Sequence, residues 1–236
     1  MFKGSAVKRS LLLIPAFVAA LTFPAGASAR LVELGAQADP ANPSCPADPC
    51  AAAVRITGYQ GRSAGGPKNP YYIRRDGSLL AFTVTLSKPS DEQIQYFNSN
   101  FNSPPEVAIA VLRRGNTPKT RLDHRLVAQS ELFRVDHYLG SSPTFVFDKP
   151  LKVEKGNWVG ITIPTWAPMF ANSLPNSNWW RSSRPKDSCD PPRSLRQYAM
   201  TDLRSTDVFG CTYHTERLLY SVTYVPDNHP TDEEGT

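Results

Sequence analysis

Proline punctuates this chain so often that long helices have little room in it. Its 236 residues include 22 prolines and 14 glycines. A proline inside a helix removes a backbone donor and clashes with the preceding turn. What lies between the breaks is short and alternates in polarity. Leu80, Phe82, Val84 and Leu86 alternate with Leu79, Ala81, Thr83 and Thr85, the period-2 signature of a half-buried strand. Val107, Ile109 and Val111 repeat the pattern, as do Phe145 and Phe147, and Val54 to Tyr59 is short and β-prone. In the last segment Leu218, Tyr220, Val222 and Tyr224 alternate with Leu219, Ser221, Thr223 and Val225 before Pro226. Leu151 to Ile163 reads as a hairpin: Glu154-Lys155-Gly156-Asn157 supplies a turn with a glycine able to take positive φ, and Pro150 and Pro164 bracket it. One helical candidate stands out, Asp91 to Phe97 with Ser90 as N-cap. Short strands with no crossover helices predict an all-β fold. The expected form is a single antiparallel β-sandwich, jelly-roll-like, with long loops and little helix.

The N-terminus predicts export. Lys3, Lys8 and Arg9 precede an uncharged apolar run from Leu11 to Phe23, and Ala27-Ser28-Ala29 offers small residues before Arg30, the layout of a Sec-type signal peptide over 1–29. The run of about 13 residues is shorter than the ~20 that cross a bilayer as a helix, so no membrane span is expected after cleavage. Cleavage would remove three cations and no acid, taking the net charge from +5 to +2. That near balance argues against nucleic acid as a partner, which calls for cations clustered on one face. The destination is secreted or cell-envelope. In an oxidising compartment the four cysteines predict two disulfides, Cys45 with Cys50 and Cys189 with Cys211, because nearest partners close the shortest loops. Residues 30–50 read as an N-terminal arm, 51–226 as the sandwich and 227–236 as an acidic disordered tail.

Catalytic motifs are scarce. No G-x-S-x-G elbow is present, and no glycine-rich loop opens a helix to cradle phosphate. No cofactor is expected; Asp187 and Asp190 offer oxygens for calcium, although no ligand loop of recognised spacing surrounds them. One short repeat does suggest chemistry. Arg121-Leu122-Asp123-His124-Arg125-Leu126 resembles Arg134-Val135-Asp136-His137-Tyr138-Leu139. As two arms of one hairpin they would set His124 opposite His137 on the inner face, a pair able to ligate zinc or copper or to act as acid and base. A secreted hydrolase or metal-dependent enzyme centred on these histidines is the alternative function; the plainer reading is a hydrogen-bonded pair of semi-buried or rim histidines.

The most informative stretch is Pro164 to Arg193, which carries Trp166, Trp179 and Trp180 among Pro, Asn and Arg. Loops this long in compact domains are functional or disordered, and three indoles argue against disorder. In one reading Trp179 and Trp180 present flat faces to sugar rings, with Asn176, Asn178, Arg181 and Arg184 donating from the rim. In the other the indoles form the loop's own core and Arg181 stacks on one of them. Trp166 and the pair Tyr71-Tyr72 read as structural. The leading expectation is a non-catalytic extracellular module that binds glycan or another cell-envelope component; a structural or assembly role is the third.

Overall fold

The computed structural model describes residues 30–36, 42–189 and 196–227. The expected signal segment 1–29, Asp190 and residues 228–236 of the expected tail lie outside the described residues. In chain order the strands are β1 (Val32–Leu34), β2 (Ala53–Arg62), β3 (Gly77–Val84), β4 (Glu106–Arg114), β5 (Asp123–Gln129), β6 (Phe133–Arg134) and β7 (Thr144–Val153). They continue as β8 (Asn157–Ala167), β9 (Phe170–Ala171), β10 (Trp179–Ser182), β11 (Thr206–Val208), β12 (Cys211–His214), β13 (Arg217–Leu218) and β14 (Tyr220–Pro226). One α-helix, α1 (Asp91–Phe101), joins β3 to β4.

The chain wraps as two facing antiparallel sheets. One has the order β1-β14-β3-β7; the larger runs β11-β5-β4-β8-β2-β10-β12, with β6 also paired to β4. Within that arrangement the eight strands divide as β1-β14-β3-β7 and β5-β4-β8-β2, the chain passing from one sheet to the other in the order of a jelly roll. Alternation explains the filling. Ile109 and Val111 on β4, Ile161 and Ile163 on β8, and Phe82 and Val222 from the facing sheet are all essentially inaccessible and share one core. Each such side chain contributes about 1.5–3 kcal/mol by leaving water. Tyr71 joins them, stacked on Tyr220 at 4.3 Å, and its hydroxyl donates to the Tyr220 carbonyl.

The opposite face of the large sheet is covered too. Ala110, Leu112, Leu126, Trp158 and Tyr59 pack against Met200 and Phe209, which come from the long connection between β8 and β14. That connection carries β9 to β13 and is where the jelly roll departs from its minimal form.

Both expected disulfides are present, Cys45–Cys50 and Cys189–Cys211. The helix is longer than the expected Asp91–Phe97: a capping box, with Ser90 Oγ accepting from the Gln93 amide and Gln93 reaching back to the Ser90 amide, starts three turns that end at Phe101. Its length follows from burial, because Phe97 and Phe101 pack with the inaccessible Trp166. The arm also does more than expected, since Val32–Leu34 pairs with β14.

Two expectations are corrected. The turn at Glu154–Asn157 exists, with Gly156 at φ +94° and the Asn157 amide donating to the Glu154 carbonyl. It does not make a hairpin. β7 pairs with β3 and β8 pairs with β2 and β4, so the turn passes the chain from one sheet to the other; alternation says which side chains point inward but not which strand lies alongside. The hairpin between the two Asp-His segments is absent as well. β5 and β6 lie one after the other along the same edge of β4, with His124 opposite Arg114 and Phe133 opposite Val107.

Candidate functional site

The site is best built from β2 and β10. Along β2 the glycines at 58 and 61 leave space over the sheet that side chains would fill. A Cβ on Gly58 would stand 3.2 Å from the Trp180 ring, and one on Gly61 would overlap the Trp179 ring at 1.9 Å. Two indoles are thereby seated on opposite faces of one strand. Trp180 turns inward, opposite Gln60, and Arg181 falls opposite Tyr59 on the outer face. Trp179 is half-buried on the outside, with the Arg181 guanidinium 5.7 Å from its ring centre. The two indoles therefore form no common platform.

Trp180 is 3% exposed and closes one wall of a cleft of about 490 Å³ between the Cys45–Cys50 loop, α1 and the β10–β12 region. Its ring stacks on Tyr213 at 4.4 Å and lies 5.1 Å from Phe170. Tyr96, Phe97 and Phe101 of α1 form the facing wall. Set into this apolar lining are three polar side chains. Glu216 accepts a 3.1 Å hydrogen bond from Trp180 Nε1; burial pushes its carboxyl above the ordinary range, and the indole bond only partly offsets this. Arg184 donates to the Tyr213 hydroxyl at 3.2 Å and to the Val54 carbonyl at 3.1 Å. The Nε of Arg184 and the Oδ1 of Asn172 are buried without a hydrogen-bond partner. Such orphan groups cost about 1–3 kcal/mol each.

The other expected ligand residues disperse. Asn178 is buried and structural: its Oδ1 accepts from the Ala64 amide and its Nδ2 donates to the Pro175 carbonyl. Asn176 is exposed, with its carbonyl 3.2 Å from His214 Nδ1. Arg184 lies in the cleft rather than on a rim. Tyr213, Phe170, Asn172 and Glu216 went unremarked in the sequence; they come from β9, the residue after it and the β12–β13 end, and no spacing rule links them.

The histidine site does not assemble. The register points of His124 and Phe133 on β4, Arg114 and Val107, are seven steps apart, roughly 23 Å at about 3.3 Å per residue, and His137 follows on a 3-10 turn, largely exposed beside Asp136. His124 is inaccessible instead, ringed by Phe209 at 4.3 Å and Tyr59 at 5.4 Å. Its Nδ1 lies 2.9 Å from the Leu122 carbonyl and so carries the proton, because a carbonyl can only accept. Nε2 is left buried without a partner. Burial lowers its pKa to about 4, with Arg114 and Arg181 adding to the effect and the Leu122 bond opposing it. Among the described residues no three His, Cys, Asp or Glu side chains converge as a metal site; Asp187 sits on a short turn at 186–188.

No known family model matches the chain, and comparison with curated proteins and with solved structures returns no significant match.

Proposed function

We propose that this chain is an exported, non-catalytic binding module that holds a small amphipathic ligand in the cleft beside α1. The observation that carries the reading is the pairing of an aromatic lining with two buried, unpartnered polar atoms, Arg184 Nε and Asn172 Oδ1. Ligand sites are concave, mostly apolar and marked by a few converging polar groups, and about 490 Å³ is a usual size for them. A ligand with an apolar body and a neutral head would accept from Arg184 and donate to Asn172 and Glu216. The cleft binds rather than catalyses on this reading because no second carboxylate, histidine or free thiol lines it among the described residues. Export is supported by the two disulfides and by the charged-then-apolar start of the sequence.

The test is an NMR titration of the labelled protein with N-acetyl-phenylalaninamide and N-acetyl-tryptophanamide. The expected result is saturable shifts on the Trp180 indole N–H and the Asn172 side-chain amide, weakened severalfold by Asn172→Ala. Shifts spread evenly over all indoles, or absent with every probe, would reject the cleft as the site.

A glycan reading retains one specific observation: Trp179 keeps part of its face open on the outer surface, with Arg181 beside it. Polysaccharide pull-down discriminates, since Trp179→Ala should abolish glycan retention and leave the cleft titration unchanged.

A further inference from the structure

A second concave surface lies at the far end of the large sheet, around the β4–β5 turn. It is an open hollow of about 720 Å³ lined by Arg113, Arg114, Arg125 and Lys155, with Asn116, Thr120 and Thr206 among its polar neighbours. Sheet register brings the cations together. Arg113 and Arg125 are direct cross-strand partners on β4 and β5, and the same row continues to Thr206 on β11 and to Asn157 on β8. Like charges in directly opposed positions destabilise a sheet. A chain with so few surplus cations has nonetheless gathered four of them at one place.

The acids nearby offset only part of this charge. Glu154 pairs with Arg113, Asp123 lines the hollow, and Asp76 accepts from the Lys155 backbone amide. Arg125 enters no ion pair among the described residues. The arrangement is also held in place. Arg114 Nε donates to the Arg121 carbonyl, which orients the guanidinium. The turn itself is tied by the Thr120 amide donating to the Thr117 carbonyl at 3.1 Å and by their hydroxyls at 2.8 Å. At Gly115 any Cβ would overlap the Thr120 carbonyl at 2.2 Å, so the tight turn depends on that glycine. Guanidinium groups offer paired, planar donors that match the oxygens of a tetrahedral oxyanion, and two of them can share one such group.

We propose that this hollow is an anion-binding site for phosphate groups, with Arg113 and Arg125 bridged by one phosphate and Arg114 and Lys155 receiving a second. It is separate from the α1 cleft and does not depend on what that cleft holds. The bridging anion removes the repulsion that the Arg113–Arg125 register builds in.

The experiment is calorimetric titration of the intact protein at low salt with inorganic pyrophosphate, run beside cosedimentation with vesicles of phosphatidylcholine containing phosphatidylglycerol. Saturable binding of pyrophosphate identifies a soluble phosphate as the source; vesicle binding with weak pyrophosphate binding identifies a lipid headgroup. Either result should fall at least tenfold in Arg113→Gln/Arg125→Gln. A charge-matched control, Lys68→Gln/Lys149→Gln, should bind as the unaltered protein does. Thermal melting supplies a readout that a merely structural role would move the other way: Arg125→Gln should melt at the same temperature or higher. Absence of saturable binding in both arms overturns the proposal, as does equal loss in the control variant.

Discussion

Replacing His124 by phenylalanine should flatten the acid side of this protein's stability curve. The imidazole is fully buried between Tyr59 and Phe209, with Nδ1–H bonded to the Leu122 carbonyl and Nε2 unpartnered. Its pKa falls from the ordinary 6.5 to about 4 on folding, chiefly because burial penalises the charged ring. The unfolded chain therefore binds a proton that the folded chain refuses between these two values. Stability from this group is complete above pH 6.5 and drains away as the pH falls toward 4. At about 1.4 kcal/mol per pH unit the full interval amounts to roughly 3 kcal/mol, and the step from pH 7.5 to 4.5 to about 2.5. Phenylalanine has nothing to protonate. It forfeits the Leu122 hydrogen bond, worth about 1 kcal/mol, and removes the orphaned Nε2, which costs about 1–3, so the variant should be as stable as the parent at pH 7.5 or more stable by up to about 2 kcal/mol. Urea unfolding of both proteins at pH 7.5 and 4.5 isolates the term, because the carboxylates titrate alike in both. The parent should lose about 2.5 kcal/mol more than His124→Phe across that step; parallel losses would refute the reasoning and mean that the ring is already charged or solvated when folded.

Two other outcomes follow from local structure. Ser90→Ala removes the N-cap acceptor of α1 and should cost about 1 kcal/mol in denaturant unfolding, with Gln93→Ala less harmful because the cap oxygen itself remains. Opening the Cys189–Cys211 bridge, which closes 22 residues, should destabilise by about 3 kcal/mol, against about 2 for the 5-residue Cys45–Cys50 loop; thermal melts of the two double-serine variants rank them.

What was legible in the sequence was burial, and what was hidden was adjacency. The alternation in Val107, Ile109 and Val111 and in Tyr220, Val222 and Tyr224 translates directly into one buried face, because strand side chains repeat with period two. In β3 the same rule slips. A register shift between Leu79 and Ala81 buries Leu79 together with Phe82 and Val84, and a one-residue bulge leaves no mark in polarity. Adjacency failed for the same kind of reason at Glu154–Asn157, where a good turn joins strands of different sheets, and at His124 and His137, whose sequence neighbours are alike although one is buried on β5 and the other exposed on the turn after β6. The disulfide pairing was readable because short loops decide it. The cleft was half readable. Arg184 and Trp180 stood out by composition, whereas Glu216 and Asn172 join them only through the fold of the β8–β14 connection.

Two half-cystines, Cys50 and Cys189, are among the residues that line the α1 cleft. The cavity lining is thus tied at two points by bonds that persist where thiols are kept oxidised. Were the chain retained in a reducing interior, the lining would lose both ties and the fold the roughly 2 and 3 kcal/mol they contribute. On the proposed reading, competence to hold a guest would then depend on oxidation.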